Sequence, residues 1–195
     1  MADGPPLPDW YDDLAGFERA AWRLVARGAA DRRSPMHTPV LATIGLDGSP
    51  RGRVLVLRGV DEGARRLRFH SDARADKVAE IGRDPRASVT FYDGGAKLQA
   101  RMDGTAAVHR PGSPVADAAW EATRAFSRTC YRVEPAAGTA LDAGDAYAHP
   151  EREDGGRANF VALTLDVASM EVLFLAAAGH RRALFTGGER RWLVP

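Results

Sequence analysis

A closed antiparallel β-barrel with two or three appended helices is the mainly β fold this sequence predicts. Three observations carry that expectation. About eight short apolar or β-branched segments follow one another at close spacing, turn residues separate them, and only two or three stretches show helical periodicity.

From about Asp9 to Arg27 the chain reads as an amphipathic helix, since Trp10, Leu14, Phe17, Ala21 and Leu24 recur at spacings of three and four. Thr38 to Asp47 (TPVLATIGLD) is a strand ending in the turn Asp47-Gly48-Ser49-Pro50, and Arg51 to Val60 is its hairpin partner. The unbroken apolar run Val54 to Leu57 predicts that this second strand is central, covered on both faces. After Asp61-Glu62-Gly63, the alternating RLRFHS of Arg66 to Ser71 is a third strand. A short helix from Ala73 to Gly82 packs Ala75, Val78, Ala79 and Ile81 while Arg74, Lys77 and Glu80 reach outward. Arg86 to Tyr92 and Lys97 to Val108 form a hairpin about Asp93-Gly94-Gly95. Ser113 to Phe126 reads as helical, and the Pro-, Gly- and Asp-rich stretch from Val133 to Arg157 as a surface loop. From Asn159 to Val194 come four short strands, FVALTLDV, MEVLFLA, RALFTG and RRWLV.

At 195 residues, 45% hydrophobic and 27% charged, the chain is sized for one domain over 1–195, with a helical region at 1–30 and a loop insertion at 133–157. A net charge of +1 gives no reason to expect a nucleic acid or membrane partner. No apolar run approaches the roughly 18 residues of a membrane helix, and Met1 to Trp10 is acidic and proline-rich, which does not read as a signal peptide. The lone Cys130 excludes an internal disulfide and a multi-cysteine zinc site, and suits a reducing compartment, with the cytoplasm the expected location. His37, His109 and His149 show no ligand spacing, so no metal site is expected. Neither of the usual glycine-rich nucleotide loops is present.

Three segments carry chemistry. Arg53 and Arg58 bracket the apolar run and, five positions apart, face opposite ways on an extended strand. In His70-Ser71-Asp72-Ala73-Arg74 a strand ends and a helix starts, with Lys77 a turn on; hydroxyl, helix N-terminus and two cations suit a phosphate monoester. The alternative is that Arg74 and Lys77 are a solvated helix face. Gln99, amid core-building neighbours, can donate and accept at a flavin edge, or simply stand on an exposed strand face.

RVLVLR, FHSDARADK, DPRASVTFY, KLQARMDG and the terminal RRWLVP together resemble the FMN-binding split-barrel family of pyridoxamine 5′-phosphate oxidase. Cys130 to Thr139 (CYRVEPAAGT) is similar to a YR-x-x-P-x-x-G-T segment of its uncharacterised FMN-binding branch. The resemblance runs from about Val40 to Pro195. It implies a split β-barrel, a homodimer with FMN at the subunit interface, and an oxidoreductase acting on a small molecule. Arg53, Val54, Leu55, Val56 and Leu57 would line the FMN site, with His70 at its border. Ser71, Arg74 and Lys77 would hold the phosphate, and Gln99 would touch the isoalloxazine. Arg132 and Arg182 would approach from the facing chain or the rim. Arg58, Trp120, Arg124 and His180 match substrate positions. The oxidase carries Arg-x-His over the pyridoxal ring where this chain has Ala178-Gly179-His180, which counts against pyridoxamine 5′-phosphate as the substrate. Split barrels that use deazaflavin or haem, and flavin binders without turnover, are the competing readings.

Overall fold

The computed structural model of the chain describes residues 6–195. The first five residues of the expected N-terminal region lie outside that range. Nine antiparallel strands form one sheet: β1 (Val40–Ile44), β2 (Pro50–Val54), β3 (Gly59–Asp61), β4 (Arg66–Asp72), β5 (Arg86–Asp93), β6 (Leu98–His109), β7 (Phe160–Phe174), β8 (Arg181–Thr186) and β9 (Glu189–Leu193). The spatial order is β2-β1-β5-β6-β7-β4-β3, with β8 on β7 and β9 on β8. The two ends of this path meet. Beyond β2, Leu55 and Leu57 donate to the carbonyls of Pro39 and His37 at 3.0 and 2.9 Å, in register with the β1–β2 ladder; Arg58 then donates to Arg68 at 2.8 Å. The apolar run therefore closes the barrel by passing from one edge of the sheet to the other.

β7 is one strand of 15 residues, where two had been expected. It bends without breaking because Ala168 is an extra residue: Asp103 pairs with Ser169 but Gly104 with Val167. At this bulge β7 changes neighbours, from β4 over residues 160–166 to β8 over 169–174. Gly104 is required there, since a Cβ would lie 1.9 Å from the Asp166 carbonyl oxygen.

Phe17, Phe69, Phe91, Leu98, Met102 and Leu163 are buried at the centre of the barrel core. Helix α1 (Leu14–Ala30) caps it, starting at Asp13, whose carboxylate accepts from Ala15 N at 3.0 Å. The preceding residues are turns, so the helix starts later than the apolar spacing alone implies. Its buried stripe includes Phe17, Ala21, Trp22 and Val25, while Leu24 is only half-buried. Helix α3 (Pro114–Glu121) roofs a smaller cluster of Trp120, Tyr131 and Phe160, and the short α4 (Ala125–Arg128) follows. Residues 133–156 carry no helix or strand beyond one bridge between Glu134 and Ala148.

Two further local expectations are corrected. The strand predicted as central lies at one end of the path, with Val54 61% exposed. An apolar run reads the same whether its second face is covered by its own chain or left for something else. Helix α2 spans Asp76–Arg83, not 73–82, because the Asp72 carboxylate accepts from Arg74 N at 2.8 Å and holds the chain in a turn.

Candidate functional site

A cavity of about 670 Å³ opens between the β1–β2 hairpin, the start of α2 and Ala137–Gly138. Its charged wall is organised by Glu80, which sequence periodicity had turned outward but which is 4% exposed. Arg53 Nη2 donates to Glu80 Oε2 at 2.7 Å, Thr43 Oγ1 donates to the same oxygen at 2.6 Å, and Arg53 Nη1 donates to Thr43. Arg53 is thereby fixed across the gap from β2 to α2. Arg51 is matched by Asp47 at 2.8 Å. Lys77 is different: its ammonium has no ion-pair partner among the described residues and donates only to Ser71 Oγ, at 3.4 Å. Burial pushes its pKa down, Arg53 adds to the effect, and Glu80, Asp72 and Asp76 oppose it. Beside it, the N-cap of α2 is Ala75, which gives no side-chain cap, and the N–H groups of Asp76 and Lys77 find no acceptor among the described residues. The exposed Asp76 carboxylate offsets part of the helix-end charge, weakened by solvent.

Arg74 stands apart from this wall. It lies before α2, and its guanidinium grips Asp72 through two bonds of 2.9 and 2.7 Å while donating to the Val133 carbonyl at 3.0 Å. The bond to Asp72 raises its pKa. The Asp72 turn that delays α2 is what takes Arg74 off the helical face it was expected to share with Lys77.

A second cavity, of about 530 Å³, lies between the end of α1, β4 and the α3–α4 turn. Arg58, Arg68 and His70 form one side and Arg124 another, with Arg32 and Arg33 after α1. Gly28 sets that last segment close to the 3₁₀ turn Pro35–His37: a Cβ there would come within 2.5 Å of Met36 O, and His37 Nδ1 meets the Gly28 carbonyl at 2.7 Å. Both ring nitrogens of His70 are shielded from solvent without a hydrogen-bond partner, and its ring stands edge-on to Phe160 at 4.9 Å. Burial, then Arg58 and Arg68, pull its pKa down to about 3, so it is neutral at pH 7. Arg68 Nε is likewise buried and unpartnered. Arg58 and Arg124 have neither an ion pair nor a side-chain hydrogen bond among the described residues.

The remaining sequence-derived residues are dispersed. Leu57 is fully buried and backs the second cavity, while Leu55 and Val56 are half-buried beyond β2. Gln99 is half-buried on β6 between Tyr92 and Leu173. Arg132 pairs with Glu151, and Arg182 with Glu171 at 2.8 Å. His180 is exposed on the β7–β8 turn, where its Nδ1 accepts from Ala176 N at 3.2 Å. Trp120 is buried against Tyr131 and Phe160 with Arg128 over its ring at 4.6 Å, so it lines neither cavity. Thr43, Arg68, Arg32 and Arg33 carried no role in the sequence, and Glu80 was read only as an outward position of a short helix. Two signals were available: Lys77 and Glu80 are three apart on one helical face, and Arg68 and His70 share the strand face opposite Leu67 and Phe69.

Residues 19–110 match the family described as pyridoxamine 5′-phosphate oxidase, FMN-binding domain. Over these residues, just under half of the chain, it is similar to the pyridoxamine 5′-phosphate oxidase-like family. It is 31% identical over 125 residues to pyridoxine/pyridoxamine 5′-phosphate oxidase 2 of Arabidopsis thaliana, a match covering 60% of this chain and 63% of that protein. The match thus spans less than two thirds of the plant protein's own length. Among solved structures, a pyridoxamine 5′-phosphate oxidase-related FMN-binding protein from Nostoc punctiforme superposes with a TM-score of 0.77 at 22% identity, covering 98% of this chain and all (100%) of that one. PhzG from Burkholderia lata, solved with tetrahydrophenazine-1-carboxylic acid, gives 0.71 at 20% identity, covering 97% and 98%. Both likenesses establish the split-barrel fold. Among the described residues no helix is long and apolar enough to cross a membrane, and no cluster of His, Cys, Asp or Glu is placed to hold a metal ion.

Proposed function

We propose that this chain is an FMN-binding flavoprotein, working as a homodimer, that exchanges electrons with a small anionic molecule. The observation that carries the cofactor assignment is the first cavity, where the half-buried Lys77 ammonium lacks a counter-charge beside an uncapped helix N-terminus. A phosphate monoester answers both deficits at once, since it brings acceptor oxygens to free N–H groups and negative charge to the ammonium. Lys77, Ser71 and the α2 N-terminus would hold the phosphate, with Arg53 kept in place by Glu80. Leu55, Val56 and Gln99 would flank the ring system.

Bound FMN would supply hydride or electron transfer, and the protein's part is to bind, orient and shield. Arg58 and Arg124 in the second cavity would hold an anionic group of the substrate, and neutral His70 would offer one donor and one acceptor without adding charge. The dimer rests on a run of exposed apolar side chains over adjacent strands: Val40 at 42%, Val54 at 61% and Tyr92 at 53% exposure on β1, β2 and β5. Covering that face with a second copy in C₂ symmetry would also explain why Arg132, Arg182 and His180 reach neither cavity within one chain.

The test begins with purified protein. Heat-released cofactor should have the mass of FMN, and light scattering should report a dimer. A Soret band, a deazaflavin spectrum or a stable monomer holding full flavin would overturn the corresponding part. Rapid bleaching of the flavin by NADH or NADPH with reoxidation by oxygen supports an oxidoreductase, whereas sluggish reduction points to a flavin binder without turnover.

A further inference from the structure

We propose that the second cavity takes a compact polyanion, a small molecule with two or more phosphate or carboxylate groups, and not a single phosphate. This deepens the oxidoreductase reading and rests on it for calling the ligand a substrate. Five arginines line the space, Arg32, Arg33, Arg58, Arg68 and Arg124, against the single carboxylate of Asp31. That carboxylate is already shared, with Arg33 at 3.6 Å and Arg27 at 3.7 Å. The C-terminal end of α1 adds about half a negative charge. More than three positive charges are left over, and guanidinium groups cannot shed them by deprotonation. A phosphate monoester carries about 1.5 to 2 negative charges, which leaves the cavity well short of neutral. Two such groups balance it.

Geometry agrees with the charge count. The cations come from three segments on different walls: Arg32 and Arg33 after α1, Arg58 and Arg68 beside β3 and on β4, Arg124 ahead of α4. Arg68 Nε is already desolvated without an acceptor, so the protein has accepted the cost of burying it before any ligand arrives. At about 530 Å³ the cavity is within the range of small-molecule sites, roughly 300–1,000 Å³. His70 adds a further requirement. Its neutral ring leaves one nitrogen as an unpartnered acceptor, which a fully deprotonated oxyanion cannot satisfy, so the ligand should also present a donor, from a hydroxyl, an amino group or a protonated acid oxygen.

Calorimetric titration of the protein as purified, with inorganic pyrophosphate and with orthophosphate at one ionic strength, tests the proposal. Pyrophosphate should bind at least about tenfold more tightly than orthophosphate. Arg32→Gln and Arg68→Gln should each weaken pyrophosphate by about tenfold and so erase most of that preference. Arg32 is exposed, so its variant folds even if that of Arg68 does not. Equal affinities for the two ions, or folded variants that bind pyrophosphate as wild type does, would overturn the proposal. The flavin spectrum of the same sample separates the two readings: a pyrophosphate preference in protein devoid of flavin defeats only the cofactor assignment, and flavin-replete protein without the preference defeats only this one.

Discussion

Replacing Lys77 with Met keeps the length and apolar stem of the side chain and removes its charge. In the ligand-free fold that charge is a burden: it is half-buried, its pKa is lowered chiefly by burial, and its single contact is 3.4 Å from Ser71 Oγ. The variant should therefore fold with equal or slightly greater stability. With FMN the balance reverses, because a charge-assisted contact to phosphate is worth about 1.5–3 kcal/mol. FMN should bind roughly 10- to 150-fold more weakly, while riboflavin, which lacks the phosphate, should change by less than about threefold. Fluorescence titration of both flavins into flavin-free wild type and variant, with thermal unfolding as a control, measures all three quantities. The pH dependence adds a check on sign. The folded-state pKa lies below the ordinary lysine value, so the unfolded chain holds the extra proton between the two. Wild-type stability should rise as pH climbs through that interval toward about 10.4, and the Met variant should lack that rise. Equal losses for FMN and riboflavin, or no loss for FMN, would refute the reasoning and place the phosphate elsewhere.

Arg74→Ala should act mainly on stability, since it strips the Asp72 carboxylate, 10% exposed, of its bidentate partner; a loss of about 1–3 kcal/mol, several degrees in Tm, is expected in thermal unfolding, with FMN weakened less than in the Lys77 variant. Gly104→Ala forces a Cβ toward the Asp166 carbonyl at 1.9 Å and should destabilise the barrel by at least about 1–3 kcal/mol in urea unfolding. Acidification from pH 6.5 toward 3 should cost stability, because the unfolded chain protonates His70 across that window while the folded chain keeps it neutral; chemical unfolding of His70→Gln at several pH values should show a shallower slope. Val54→Glu puts a charge on a side chain 61% exposed in one chain and should leave the monomer folded while light scattering reports loss of the proposed dimer.

Much of the barrel could be read directly. The alternation in RLRFHS and the Asp47-Gly48-Ser49-Pro50 turn reappear as β4 and the β1–β2 hairpin, because side-chain period and turn chemistry are local properties. Errors arose where a distant partner decides. Phe160 to Phe174 looked like two strands, since nothing within it shows that a bulge opposite Gly104 lets one strand serve β4 and then β8. Arg53 and Lys77 were legible as cations, but Glu80, which binds Arg53, looked like one more solvated position of a short helix.

The order of cationic segments, the turn residues and the apolar run between Arg53 and Arg58 belong to the sequence alone, and they suffice for the fold class and for expecting an anionic ligand. What tertiary structure decided is which charges are still available to one. Arg74 is consumed by Asp72 and Val133, and Arg53 is held by Glu80. Lys77 keeps no carboxylate, and five arginines from three segments converge on one cavity with a single acidic residue among them. The physical reason is that a cation's role depends on which acceptors lie within a few ångströms, and residues 27 or 59 positions apart in sequence, as Arg53 and Glu80, and Arg74 and Val133, are, come that near only when the barrel closes.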